Sequence, residues 1–254
     1  MAPANPSDGL LSRVHDGIAT VTIHHPAKRN AMTTPMWQEL PVLLERLAAD
    51  REVRVLVLTG HGDTFCAGAD IGSLRGSART AQELAVAAEE ALAAFPKPTL
   101  ASIRGYCVGG GCQLAAACDL RFAAEGSSFG ITPAKLGIVY PASATRRLAA
   151  LVGPATAKYL LFSAELIGAD QALRTGLVDE VRPAAELDGR VEEFARVLVS
   201  RSLLTQAAAK EFTDGPASPE RVAYWAEQAR TGADTAEGVT AFLERRAPRF
   251  TWNG

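Results

Sequence analysis

An α/β fold built on a mostly parallel sheet is predicted by three observations. Apolar runs at residues 53–59 and 99–103 are each followed by a turn of very small residues and then by a helical pattern. Strand and helix signals alternate up to about Pro141, and beyond it the pattern is helical throughout. That alternation indicates repeated ββα units, because parallel neighbours need a crossover to bring the chain back to the same edge.

Residues 10–14 and 18–24 are predicted strands around His15-Asp16-Gly17, where Asp-Gly is a hairpin signal and Ala19, Val21 and Ile23 alternate with Ile18, Thr20 and Thr22. Thr34 is expected to cap a helix running to Ala49, with Met36, Leu40, Leu43, Leu44 and Leu47 on one face. A buried strand at 53–59, an Ala-rich helix at 80–94 and a strand at 99–103 follow. A helix is expected from Gly110 or Gly111, then a strand through 120–123. Later helices are predicted over 141–151, 155–162, 169–175 and 186–200, with a last helical stretch from Pro219.

The 254 residues suffice for one large domain, or one with a small appendage, and 48% hydrophobic against 21% charged is an ordinary globular balance. A formal charge of −2 supplies no field for nucleic acid or an anionic membrane. No run suits membrane insertion, and the polar start lacks signal-peptide regions, so residues 1–9 are expected to be a flexible tail and the protein cytoplasmic. Cys66, Cys107, Cys112 and Cys118 form neither a disulfide framework nor a zinc spacing; no metal is expected, and the thiols are read as small, reduced and buried. None of the four histidines falls in a motif, and no glycine run fits GxGxxG or a P-loop.

The chemistry is carried by two turns, Phe65-Cys66-Ala67-Gly68-Ala69-Asp70-Ile71 and Gly105-Tyr106-Cys107-Val108-Gly109-Gly110-Gly111-Cys112-Gln113. Residues this small let the backbone approach a ligand, and two N–H groups at helix entrances can converge on one developing oxyanion. With Pro26-Ala27-Lys28-Arg29-Asn30-Ala31 upstream and Ala241-Phe242-Leu243-Glu244-Arg245-Arg246 near the end, the chain from about Leu11 onward resembles the crotonase, or enoyl-CoA hydratase/isomerase, superfamily.

The resemblance implies a spiral of ββα turns over residues 10–195 and a helical region over 196–254 that packs against other subunits, as a homotrimer or a dimer of trimers. It implies an acyl-CoA thioester as substrate and no separate cofactor, coenzyme A being part of the substrate. Ala69 and Gly110 match the oxyanion donors. Ala27 and Lys28 match the segment along the CoA nucleotide, with Lys28 and Arg29 near phosphates; Ala67, Asp70 and Ile71 match the backbone beside adenine and pantetheine, and Ala31 and Gly68 are implied as substrate contacts. Further substrate contacts are implied at Tyr106, Gly109, Gln113, Pro133, Ala134, Phe242 and Arg245.

The departures from the family pattern bear on the reaction. The family's hydratases use two glutamates to hold and activate water. Gln113 stands at the first position, and in Phe129-Gly130-Ile131-Thr132-Pro133-Ala134 the second falls on Ala134. Gln binds water without taking its proton, and Ala does neither. The carboxylates of the family's isomerases are missing too, Pro141 standing where one class has Asp. Thr132-Pro133, Leu136-Gly137 and Tyr140 are similar to the methylmalonyl-CoA decarboxylases of the superfamily, although those carry His where Ala69 stands here. Three readings follow: an acyl-CoA lyase or isomerase using Asp70 or Tyr140, a malonyl-type decarboxylase with Tyr140 at the carboxylate, or a non-catalytic acyl-CoA binder. Asp70 and Tyr140 each have a plainer alternative, as a helix cap and as a packing residue.

Overall fold

The structure, a computed structural model, describes residues 8–70, 72 and 78–253. Strands β1 (Gly9–His15) and β2 (Ile18–His24) form the expected hairpin, with Asp16 and Gly17 both at positive φ (49° and 80°) as a tight right-twisting turn requires. β1 starts at Gly9, the last residue of the expected tail. β2 then leads a parallel run through β3 (Val55–Gly60), β4 (Thr99–Ile103), β6 (Leu120–Ala124) and β9 (Glu180–Arg182), giving the order β1-β2-β3-β4-β6-β9. A second, three-stranded sheet has the order β5 (Tyr106–Val108), β7 (Ser128–Gly130), β8 (Ile167–Gly168).

The larger sheet is apolar on both faces, as a parallel sheet between layers must be. Val21, Ile23, Leu56, Leu58, Ala101 and Ile103 join the main core with α1 (Thr34–Ala49), α2 (Ala78–Ala93) and α3 (Gly110–Ala117). Val55, Val57, Leu100 and Phe122 face the other way, onto Leu187, Val191 and Ala195 of α6 (Leu187–Val199). Between them, α4 (Ala142–Ser163) is broken at Gly153 (φ 75°, ψ 158°), which accounts for the two separate helices expected there; α5 (Ala169–Thr175) has its predicted limits.

One expectation is corrected: Thr33, not Thr34, is the N-cap of α1, its Oγ1 accepting the Met36 N–H at 3.5 Å, and Pro35 lies in the first turn. α6 runs across 195/196, and its Leu198 and Val199 pack on the same sheet face as Val191. The chain leaves that face at Ser202, the N-cap of α7 (Leu203–Asp214), a helix the sequence reading did not include. α8 (Pro219–Thr231) and α9 (Asp234–Leu243) follow, around a small core of Leu204, Ala207 and Trp225. Asp119 fastens this region to the sheet, accepting from Thr99 N–H at 2.7 Å and from Lys210 Nζ at 3.0 Å. Among the described residues, no helix is long and apolar enough to cross a membrane.

Candidate active site

Three segments far apart in sequence are laced into one narrow ladder. Cys66 pairs with Cys107 and Met32 with Ala69, both in parallel. Cys66 N–H donates to Tyr106 O at 2.9 Å and Val108 N–H to Cys66 O at 3.0 Å. On the other side, Ala67 N–H donates to Arg29 O at 3.0 Å, Met32 N–H to Gly68 O at 2.8 Å, and Asp70 N–H to Met32 O at 2.9 Å.

That register decides where Ala69 points. In a parallel pair one residue takes both bonds, here Met32, and the residue opposite turns its own N–H and C=O away. The Ala69 N–H is therefore left over, and it donates to no partner among the described residues. Gly110 opens α3, so its N–H lacks an intrahelical acceptor for the general reason that first-turn donors do. The two leftovers adjoin: a β-carbon built on Gly110 would stand 3.5 Å from Ala69 N, and one built on Gly68 would stand 3.6 Å from Gly110 N.

The small residues are required by this approach. Gly68 has φ +109°, which a side chain would strain, and a β-carbon there would also press on Val108 O at 3.1 Å. A β-carbon on Gly111 would meet Cys66 O at 2.3 Å, so α3 can lie on the first turn only as glycine. Gly109 N–H donates to Gly130 O at 2.8 Å, which sets the end of β7 against the second turn. The helix dipole adds positive potential where both N–H groups gather.

The Pro26–Lys28 turn flanks this pair. Asn30, buried at φ 58°, donates from Nδ2 to His61 O (2.8 Å) and Thr64 O (2.6 Å) and accepts His25 N–H at 3.1 Å. Ala27, Lys28 and Arg29 are exposed around it, Ala31 is buried, and Arg29 lies 5.1 Å over the ring of Tyr106. Lys28 Nζ is 3.7 Å from Asp70 Oδ1, and that same oxygen accepts the Gly72 N–H at 3.1 Å. Asp70 is thus engaged as a local cap and ion-pair partner. Ile71 lies outside the described residues.

The Pro133–Leu136 turn brings Pro133 and the exposed Ala134 near the second glycine cluster, Thr132 Oγ1 being 3.8 Å from where a Gly109 β-carbon would sit. Neither carries a carboxylate. Tyr140 packs half-buried on the core, and its hydroxyl makes no hydrogen bond among the described residues. Burial, with Cys112 and Cys107 alongside, pushes its pKa well above the ordinary tyrosine value, so it is a neutral phenol. Cys66 is buried with its thiol pushed up to about 12, which leaves no thiolate for chemistry. Phe242 is 82% exposed at the end of α9, and Arg245 follows at φ 56°; no hydrogen bond or ion pair joins either to the turns among the described residues.

Gln113 is buried, and its Nε2 donates to Glu89 Oε2 at 3.1 Å and to Ala85 O at 3.5 Å. Glu89 is wholly buried and also holds Ser143 Oγ (3.2 Å) and Arg147. An unpaired carboxylate so buried would cost several kcal/mol, and Arg147 offsets that. Sequence reading missed Glu89. Its signal was a carboxylate in line with Ala85, Ala88 and Leu92 on the apolar face of a helix. Among the described residues, no group of three or more His, Cys, Asp or Glu is placed to hold a metal ion.

Comparison with known proteins places the chain in a family. The family model described as enoyl-CoA hydratase/isomerase matches residues 13–253. The chain is 35% identical to a crotonyl-CoA hydratase of Syntrophomonas wolfei over 96% of its length and 98% of that protein. It is 33% identical to the 2,3-dehydroadipyl-CoA hydratase of Escherichia coli, covering 96% of this chain and 98% of the relative. A crystal structure of an enoyl-CoA hydratase/isomerase family member superposes with a TM-score of 0.92 at 37% identity, over 98% of each chain. The enoyl-CoA hydratase of Bacillus anthracis superposes at 0.90 and 29% identity, over 95% of this chain and 98% of the other. With two leftover N–H groups on crossing turns and this match along nearly its whole length, the chain belongs to the enoyl-CoA hydratase/isomerase family.

Proposed function

We propose that this protein is an enzyme of acyl-CoA metabolism that holds a thioester carbonyl between the N–H groups of Ala69 and Gly110 and stabilises the enolate formed from it. The observation that carries this reading is the adjacency of those two donors, Ala69 N–H left over by the ladder register and Gly110 N–H by its place in the first turn of α3, neither with a partner among the described residues. Negative charge developing on the carbonyl oxygen meets two fixed dipoles in a site that needs no reorganisation, which is where the largest part of such catalysis arises. Lys28 and Arg29 stand exposed beside the turn, where cations suit the phosphates of coenzyme A.

Efficient hydration is not expected. Gln113 cannot take a proton from water, Pro133 and Ala134 offer no carboxylate, and Asp70 is tied to Gly72 and Lys28. A second reading is decarboxylation of a malonyl-type thioester, supported by Tyr140, whose hydroxyl makes no hydrogen bond among the described residues and is free to orient a carboxylate. Breaking the carbon–carboxylate bond releases CO2 and leaves its electron pair in the enolate without any base, and a proton donor then returns a proton to the α carbon.

The test is hydration of crotonyl-CoA, followed as loss of enoyl-thioester absorbance beside a two-glutamate hydratase, with binding measured in parallel. Binding with little or no turnover is expected, and CO2 release from methylmalonyl-CoA is measured next. Turnover near the control rate overturns the argument from Gln113. Absence of binding overturns the acyl-CoA reading. Tight binding with no turnover of any thioester leaves a non-catalytic binder.

A further inference from the structure

We propose that Glu89 is a positioning residue that fixes which atom of Gln113 is presented to the acyl group; this rests on the acyl-CoA reading above. Gln113 lies three residues after the oxyanion donor Gly110, one turn along the same face of α3, and helical side chains lean toward the N-terminus. Its amide therefore leans toward the end of the helix where the thioester carbonyl sits. A glutamine amide could show either its oxygen or its nitrogen there, and the two faces select opposite ligands.

The partners on α2 remove that freedom. Both oxygens of Glu89 already act as acceptors, Oε1 from Arg147 and Oε2 from Ser143, and the Ala85 carbonyl can only accept. Both amide hydrogens of Gln113 are thereby drawn to α2, and Oε1 is the polar atom left for the ligand. The choice does not depend on telling oxygen from nitrogen in the side chain, because an oxygen facing Glu89 would set two acceptors together in a buried place. Arg147 and Ser143 also line a cavity of about 790 Å³ behind this layer, so the charge of Arg147 stays within reach of water while that of Glu89 does not.

An acceptor fixed beside the acyl group selects ligands that carry a donor there. The probes are 3-hydroxybutyryl-CoA and butyryl-CoA, which differ by one hydroxyl, with dissociation constants measured by calorimetry on the full chain. Wild type is expected to bind the hydroxylated thioester about tenfold more tightly, the size of one hydrogen bond to a buried acceptor. Gln113→Leu abolishes that ratio. Glu89→Gln, whose own amide can either donate or accept, lets Gln113 turn and reduces the ratio at least threefold while the affinity for butyryl-CoA stays within twofold. A purely structural role for Glu89 would weaken both ligands alike.

Should Glu89→Gln fail to fold, the double variant Glu89→Gln/Arg147→Gln removes both charges together and is read the same way. A ratio near one in wild type, or a wild-type ratio kept in the Glu89 variants, overturns the proposal with the acyl-CoA reading intact. Failure of both thioesters to bind wild type overturns the reading and the proposal together.

Discussion

The indole of Trp37 closes the space behind Gly110: a β-carbon built on that glycine would lie 2.9 Å from Cζ2 and 3.2 Å from Cη2 of the ring. Trp37 is buried on α1 and has no room to retreat, so a methyl group at Gly110 must push α3 away from the first turn. Gly110→Ala is expected to cost about 1–3 kcal/mol of stability. It should also lower turnover of any accepted thioester on the order of a hundredfold, because one donor is displaced. Thermal unfolding and steady-state kinetics on the same variant check both figures.

Asn30 performs a different task, holding the segment that carries Met32 and through it Ala69. It sits at a left-handed φ of 58°, and its side chain makes three hydrogen bonds. Asn30→Ala leaves two carbonyls and one N–H without their side-chain partner and is expected to destabilise by about 2–4 kcal/mol. Chemical denaturation measures the loss, and a variant as stable as wild type would contradict the role given to this residue.

How much of this was legible in the sequence differs from element to element. Ala69 and Gly110 could be read because a close backbone approach admits only small residues, and small residues after an apolar run are conspicuous. The strand at Thr99–Ile103, a short apolar run, and the helix at Ala169–Thr175 were read to the residue. The three-residue strands β5 and β7 were not, since three residues carry no period, and their pairing depends on Gly109 and Gly130 meeting in space. Glu89 was missed because its meaning lies in Arg147, 58 residues on, and in Gln113, 24 residues on. Asp70 offered a carboxylate beside a donor, and only the contacts with Gly72 and Lys28 show how it is occupied.

Stability in acid provides a prediction for the C-terminal helices. Arg221 donates to both oxygens of Glu211, and Trp225 Nε1 donates to Oε2 at 2.8 Å. The Arg221 hydrogen bonds, first of all, hold the Glu211 carboxyl down at about 2. A group depressed on folding stabilises the fold above its unfolded pKa of about 4.3 and loses that contribution as pH falls through its folded value. Wild type should therefore exceed Glu211→Gln in stability at pH 6, and the gap should close between about pH 4.3 and about pH 2. A gap independent of pH in denaturation curves would contradict the pairing.

The phenol of Tyr140 can be followed directly. Burial keeps it neutral beyond the ordinary range, and Glu165 raises Tyr159 as well, by accepting its hydroxyl at 2.6 Å. In an alkaline absorbance titration, wild type should show a late tyrosinate phase that Tyr140→Phe shortens. A variant whose titration curve keeps the whole late phase would place the Tyr140 hydroxyl in water.

The central claim is that Ala69 and Gly110 polarise a thioester carbonyl, and the absorption spectrum of bound 2,4-hexadienoyl-CoA tests it most directly. Two donors on the carbonyl oxygen draw electron density along the conjugated chain and shift its absorption to longer wavelength. The account predicts a red shift on binding to wild type that is lost or strongly reduced in Gly110→Ala. Saturable binding with an unshifted spectrum would contradict it.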